Sequence, residues 1–104
     1  MSQERITKLK EFLEQDPDDS FSRYALALEY ASRGETQIAV SFLQEVIKRD
    51  PHYLPAYQQL GYNHAKLGRS DEAAAILRQG VARAIEAGDH HARSEMQEAL
   101  DELT

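Results

Sequence analysis

Cysteine is absent from the 104 residues, which excludes disulfide frameworks, cysteine-ligated zinc and thiol chemistry. Basic clusters are missing as well: no run of Lys and Arg exceeds two residues, and 12 basic against 18 acidic side chains give a net charge of −6. Nucleic acids and anionic membrane surfaces both ask for a basic patch, so neither is expected as a partner. No stretch approaches the ~20 consecutive apolar residues of a membrane span. The opening Met1-Ser2-Gln3-Glu4-Arg5 leads into an amphipathic segment and not into the apolar run of a signal peptide. A soluble, cytoplasmic protein is therefore expected. A glycine-rich phosphate loop and a Gly-x-Ser-x-Gly nucleophile elbow are both lacking. Acidic pairs such as Asp18-Asp19 and Asp71-Glu72 fall at helix starts, where capping accounts for them. No enzyme, no catalytic residue and no cofactor are expected.

What the chain does contain is a copy of itself displaced by 34 residues. Pro17 falls on Pro51, Leu26 on Leu60, Gly34 on Gly68, Ala39 on Ala73 and Leu43 on Leu77. The pairs Leu9/Leu43, Leu13/Ile47 and Ile47/Val81 keep the same step. A period near 34 suits a helix–turn–helix unit stacked against its neighbours. A chain of this length forms one domain and buries roughly two-thirds of its unfolded surface, enough for a core without covalent staples.

Helical spacing of Ile6, Leu9, Phe12 and Leu13 predicts a first helix that Asp16-Pro17 stops. Asp18-Asp19-Ser20 offers N-caps for a second, over roughly 20–33, that carries apolar residues on more than one face and ends at Gly34. A third begins near Thr36 and stops at Asp50-Pro51. The cycle repeats with a fourth helix from about Pro55 to Lys66, a break at Gly68, and a fifth capped by Ser70 or Asp71. The fifth meets no proline and is predicted to continue to Glu86. After Gly88-Asp89 a sixth presents Ala92, Met96, Ala99, Leu100 and Leu103 on one face. No strand is predicted.

These spacings resemble the tetratricopeptide repeat (TPR) family, in which an aromatic, Leu-Gly, Tyr, Ala, Phe and Pro recur at set intervals. One repeat reads Leu26-Ala27, Tyr30, Gly34, Ala39, Leu43 and Pro51; the next reads Tyr57, Leu60-Gly61, His64, Gly68, Ala73 and Leu77. The resemblance implies an all-α fold of six antiparallel helices in a short superhelical α-solenoid. Its parts would be a half repeat over 4–17, full repeats over 20–53 and 54–87, and a solvating cap helix over 89–103, within one unit spanning 1–104. Three positions depart from the family pattern. Arg23 stands at the aromatic position, so the first repeat's opening turn is expected to be less regular. His64 replaces a tyrosine, and Ile85 replaces the proline, lengthening that helix.

In the family, the first helix of each repeat lines a concave groove that receives an extended peptide or a partner helix. The resemblance thus implies protein binding, with Phe21, Tyr24 and Leu28 as apolar anchors and Gln58, Tyr62 and Lys66 as polar contacts. Some members hold a terminal carboxylate with Lys and Asn on these faces. The corresponding positions here are Tyr24, Leu28, Gln58 and Tyr62, so that clamp is not built, and a hydrophobic or mixed ligand such as an amphipathic helix fits better. Lys66 alone supplies a cation. The identity of the protein or peptide partner is not readable. The alternative is self-association: the half repeat lacks a preceding helix, leaving Ile6, Leu9 or Phe12 incompletely covered, and a two-fold homodimer would complete the stack. The histidines do not suggest a metal site. His90 and His91 diverge by ~100° on a helix, His52 falls in a turn, and His64 is expected to be a hydrogen-bonded packing residue.

Overall fold

Proline and glycine punctuate the backbone where the sequence places them. The computed structural model describes residues 2–103; Met1 and Thr104, the edges of the expected 1–104 unit, lie outside them. Six helices follow in order: α1 (Ser2–Gln15), α2 (Ser20–Ser32), α3 (Thr36–Arg49), α4 (Leu54–Lys66), α5 (Ser70–Ala87) and α6 (His90–Glu102). No strand occurs among the described residues. None of their helices is long and apolar enough to cross a membrane.

The turns after α2 and α4 are built alike. Gly34 and Gly68 adopt φ of 80° and 75°, a left-handed conformation that only glycine enters at little cost. Each closes its helix with the same pair of bonds. The Gly34 N–H donates to Ala31 O and the Glu35 N–H to Tyr30 O; those of Gly68 and Arg69 donate to Ala65 O and His64 O. Carbonyls that would otherwise be orphaned at a helix end are thereby satisfied. Without a proline at Ile85, α5 runs for 18 residues against 14 in α3 and ends at Gly88. Its N-cap is Arg69, with no side-chain capping bond, one residue before Ser70 and two before Asp71, the expected caps. Asp71, with Glu72, occupies the first turn instead, where the helix dipole favours acidic groups.

Consecutive helices pack against one another, and α6 also reaches α4. The core is accordingly a row of three apolar clusters. Ile6 and Leu9 of α1 meet Ala25 and Leu26 of α2. Ala27, Val40, Leu43, Val46, Ala56 and Leu60 join α2, α3 and α4. Tyr57, Leu77, Ala84, Met96 and Leu100 join α4, α5 and α6. Stability thus arises between sequence neighbours, as in stacked repeats. Two glycines set how closely helices approach. A Cβ on Gly61 would lie 2.7 Å from the Leu77 side chain, and one on Gly80 would meet Met96 Sδ and, at 2.8 Å, Tyr57 Cβ.

Three expectations change. Ile6 and Leu9 are not left uncovered, because α2 buries both; only Phe12, 50 % exposed, stays open. Arg23 does not loosen the opening turn. It is 7 % exposed, and its Nη2 donates to Pro17 O at 2.7 Å. The Tyr57 hydroxyl, 34 residues later, donates to Pro51 O at 2.8 Å, so two different side chains tie the same turn. His64 is buried as expected, but its Nδ1 has no hydrogen-bond partner; Glu72 Oε2 stands 3.8 Å away, beyond hydrogen-bond range.

Candidate functional site

Asp19 fixes where α2 begins. Its carboxylate accepts the Ser22 N–H at 3.1 Å and the Ser22 hydroxyl at 2.6 Å, and these bonds hold its carboxyl below the ordinary value. With that start, Ala25, Leu26 and Ala27 face the core, while Phe21, Tyr24 and Leu28 fall on one outer stripe at i, i+3 and i+7. Phe21 is 63 % exposed and Leu28 is also exposed. Tyr24 is half-buried. Its ring meets Tyr53, at the N-cap of α4, with centroids 5.3 Å apart and planes tilted by 52°. Burial, followed by the neighbouring Tyr53, pushes the Tyr24 hydroxyl's pKa up. This ring pair connects the α2 stripe to the next hairpin.

On α4, Tyr57, Leu60, Gly61 and His64 point inward, leaving Gln58, Tyr62 and Lys66 on the other side. Gln58 Nε2 donates to the Tyr62 hydroxyl at 2.8 Å, and Tyr62 is 42 % exposed. Both line a cleft of about 320 Å³ between α4 and α6, with Glu95, Glu98, Ala99 and Glu102 opposite. Beside it, Tyr62 also borders a smaller cavity of about 190 Å³ with Gly61, Ala65, Leu77 and Leu103. Lys66 is exposed in the last turn of α4, where the helix dipole favours a cation.

The acidic wall of the cleft is the feature that sequence reasoning missed. Glu95, Glu98, Ala99 and Glu102 stand at i, i+3, i+4 and i+7, a stripe of α6 adjoining the buried Met96 and Leu100. The spacing was visible, but a cap helix is expected to carry a solvated polar face, which concealed its second role. Chemically the cleft offers one phenol, one amide and three carboxylates. Among the described residues, no group of three or more metal-ligating side chains is placed to hold an ion.

A tetratricopeptide repeat family model matches residues 30–92, more than half of the chain. A TPR repeat-containing protein of Pseudomonas aeruginosa is 30% identical over 98 residues, which cover 94% of this chain and 93% of the relative. Among solved structures, a tetratricopeptide repeat domain protein from Salinibacter ruber superposes with a TM-score of 0.80 at 35% identity, covering 85% of this chain and 89% of that one. A protein from Bordetella parapertussis gives 0.82 at 28% identity, covering 94% and 85%. The TPR2B domain of yeast Sti1, solved in a complex with pHsp70, gives 0.88 over 94% of this chain and 78% of that one; at 15% identity it speaks for the fold alone. TPR proteins are generally scaffolds that mediate protein–protein interaction. With its helical hairpins, its period and these matches, the chain belongs to the tetratricopeptide repeat family.

Proposed function

We propose that the chain binds a protein or peptide segment along the face formed by α2, α4 and α6. Phe21, Tyr24 and Leu28 supply apolar anchors, and Gln58, Tyr62 and Lys66 supply polar contacts and register. In this reading residues 4–17 act as a half repeat, 20–53 and 54–87 as full repeats, and 89–103 as the cap that adds a third wall. The observation that carries the proposal is the α2 stripe, where a phenylalanine and a leucine remain exposed beside a half-buried tyrosine. Isolated apolar residues on a surface are ordinary, but a contiguous apolar stripe favours a partner. The carboxylates of Glu95, Glu98 and Glu102 favour a segment that follows its apolar residues with Lys or Arg. Binding to a preformed helical surface loses little entropy on the scaffold side.

A peptide library selected on the immobilised protein tests this. Peptides that combine apolar and basic residues, and that shift the amides around Phe21, Leu28, Gln58 and Tyr62, support the reading. Binders that shift only α1, α3 and α5 contradict it.

A second reading, homodimerisation through α1, is favoured by Phe12. Its exposed ring borders an outer hollow of about 430 Å³ with Glu4, Arg5 and Lys8. Burial of Ile6 and Leu9 against α2 leaves this surface narrower than a fully unpaired helix would offer. A strict monomer by light scattering at high micromolar concentration removes the reading.

A further inference from the structure

The opposite side of α4 carries a second feature. Between α3, α4 and α5 lies a solvent-open hollow of about 300 Å³ whose walls include Ile47, Leu60, His64, Glu72, Ile76 and Gln79. In the preceding hairpin, 34 residues earlier, two of its wall positions are aromatic. There Tyr30 stands in the position of His64 and Phe42 in that of Ile76, and the two rings stack at 5.5 Å with planes 9° apart. Replacing both rings by an imidazole and an isoleucine removes aromatic volume from the second hairpin. Engineered apolar cavities of about 150 Å³ accept a benzene ring, so the space is sufficient for one.

Two polar atoms mark this cavity as more than a packing gap. His64 is 4 % exposed, and its Nδ1 lacks a hydrogen-bond partner, a condition that buried polar groups rarely tolerate. Glu72 Oε2 stands 3.8 Å from that nitrogen. A single hydroxyl that turns the exposed Glu72 side chain aside, and so uncovers this nitrogen, satisfies both, since it accepts from a ring N–H and donates to a carboxylate. An apolar ring cannot do this. Burial holds the imidazole pKa down, against the opposing pull of Glu72 and with Arg69 adding to the depression. The ring therefore enters the hydrogen bond neutral. At the mouth, Gln44, Glu72 and Gln79 are exposed; the two carboxamides can each pair with a peptide group through both donor and acceptor.

We infer that this cavity is a docking site for a tyrosine side chain of a partner protein, its ring held by Ile47, Leu60 and Ile76 and its hydroxyl bridging His64 and Glu72. The incoming ring supplies in trans what Tyr30 supplies in cis one hairpin earlier. The amide rim at the mouth is what distinguishes a polypeptide-borne phenol from a free one. Anchors of this kind, an aromatic in a pocket with a polar rim, carry much of the energy of protein interfaces. The surface is separate from the α2–α4–α6 face, because residues 60 and 64 point away from residues 58 and 62 on the α4 helix.

The test is an amide-shift titration of the intact chain with three probes: the peptide acetyl-Gly-Tyr-Gly-amide, its phenylalanine counterpart, and p-cresol as the bare side chain. The tyrosine peptide should shift amides around Ile47, His64 and Ile76, and the phenylalanine peptide should bind about tenfold more weakly for want of the bridging hydroxyl. The variant His64→Tyr fills the cavity from within, so it should abolish binding and raise the melting temperature. Ala75→Leu, an exposed substitution at the lip, should also abolish binding without entering the core, which keeps the test sound if His64→Tyr fails to fold. Equal affinity for the tyrosine and phenylalanine peptides overturns the inference, as does unaltered binding to either variant. Binding of p-cresol without the tyrosine peptide overturns the protein-borne source.

Discussion

The hairpins α2–α3 and α4–α5 share one backbone plan and fill it with different chemistry. Both turns between their helices use a left-handed glycine, and in both a buried side chain ties the α-helix start to a proline carbonyl. In the first that side chain is Arg23, in the second Tyr57. At the next equivalent position, Val46 fills the first hairpin's core where Gly80 admits Met96 of α6. Further along, a stacked Tyr30–Phe42 pair gives way to His64, Ile76 and a cavity. The period thus preserves the frame, and the contents follow each hairpin's neighbours. The first is flanked by α1 and α4, the second by α3 and the cap.

Exchanging residues between the hairpins is the way to break this comparison. The largest effect is expected from Gly80→Val, which gives the second hairpin the valine of the first. Its side chain would collide with Met96 and Tyr57, and overpacking here should cost about 3 kcal/mol in chemical denaturation. Arg23→Ala comes next. Although Arg49 Nη1 also donates to Pro17 O at 3.1 Å, loss of the shorter bond and of the buried stem should cost about 2 kcal/mol. Arg23→Tyr, the second hairpin's own solution, should recover most of that loss and remove the unpartnered buried Nη1. Asp19→Ala tests a smaller asymmetry, since α2 has a side-chain cap and α4 has none; about 1 kcal/mol is expected in thermal unfolding.

The smallest expected difference concerns pH. The His64 pKa is depressed in the folded state, chiefly by burial, from an ordinary 6.5. Below that value the unfolded chain takes up a proton that the folded chain refuses, so stability is complete above pH 6.5 and declines as the pH falls toward the folded-state pKa. His64→Tyr should remove this part of the decline, measured as the difference in melting temperature between pH 7.5 and pH 5.5 (about neutral and about one unit below the free imidazole pKa).

Much of the frame was legible because it is encoded locally. Pro17, Pro51, Gly34, Gly68 and Gly88 each act on their own turn, and the missing proline at Ile85 correctly marked a longer α5. What escaped depends on residues distant in sequence. Arg23 reads as a flaw in the pattern until Pro17 O is seen beside it. Coverage of Ile6 and Leu9 depends on how α1 docks on α2. The carboxylates of α6 read as solvated until α4 supplies the other wall of the cleft. The candidate binding residues were legible only as a stripe. Tyr24 proves to be half packing residue, held by Tyr53, which makes it a poor choice for a binding test.

Phe21 and Tyr62 are better choices, since each is exposed and one lies on each hairpin. The most direct test is the affinity of a library-selected peptide for the double variant Phe21→Ala/Tyr62→Ala, alongside its melting temperature. A loss of at least about tenfold, or ~1.4 kcal/mol, with melting unchanged, is expected if α2 and α4 bind one partner together. Unchanged affinity in a folded double variant would contradict that shared face.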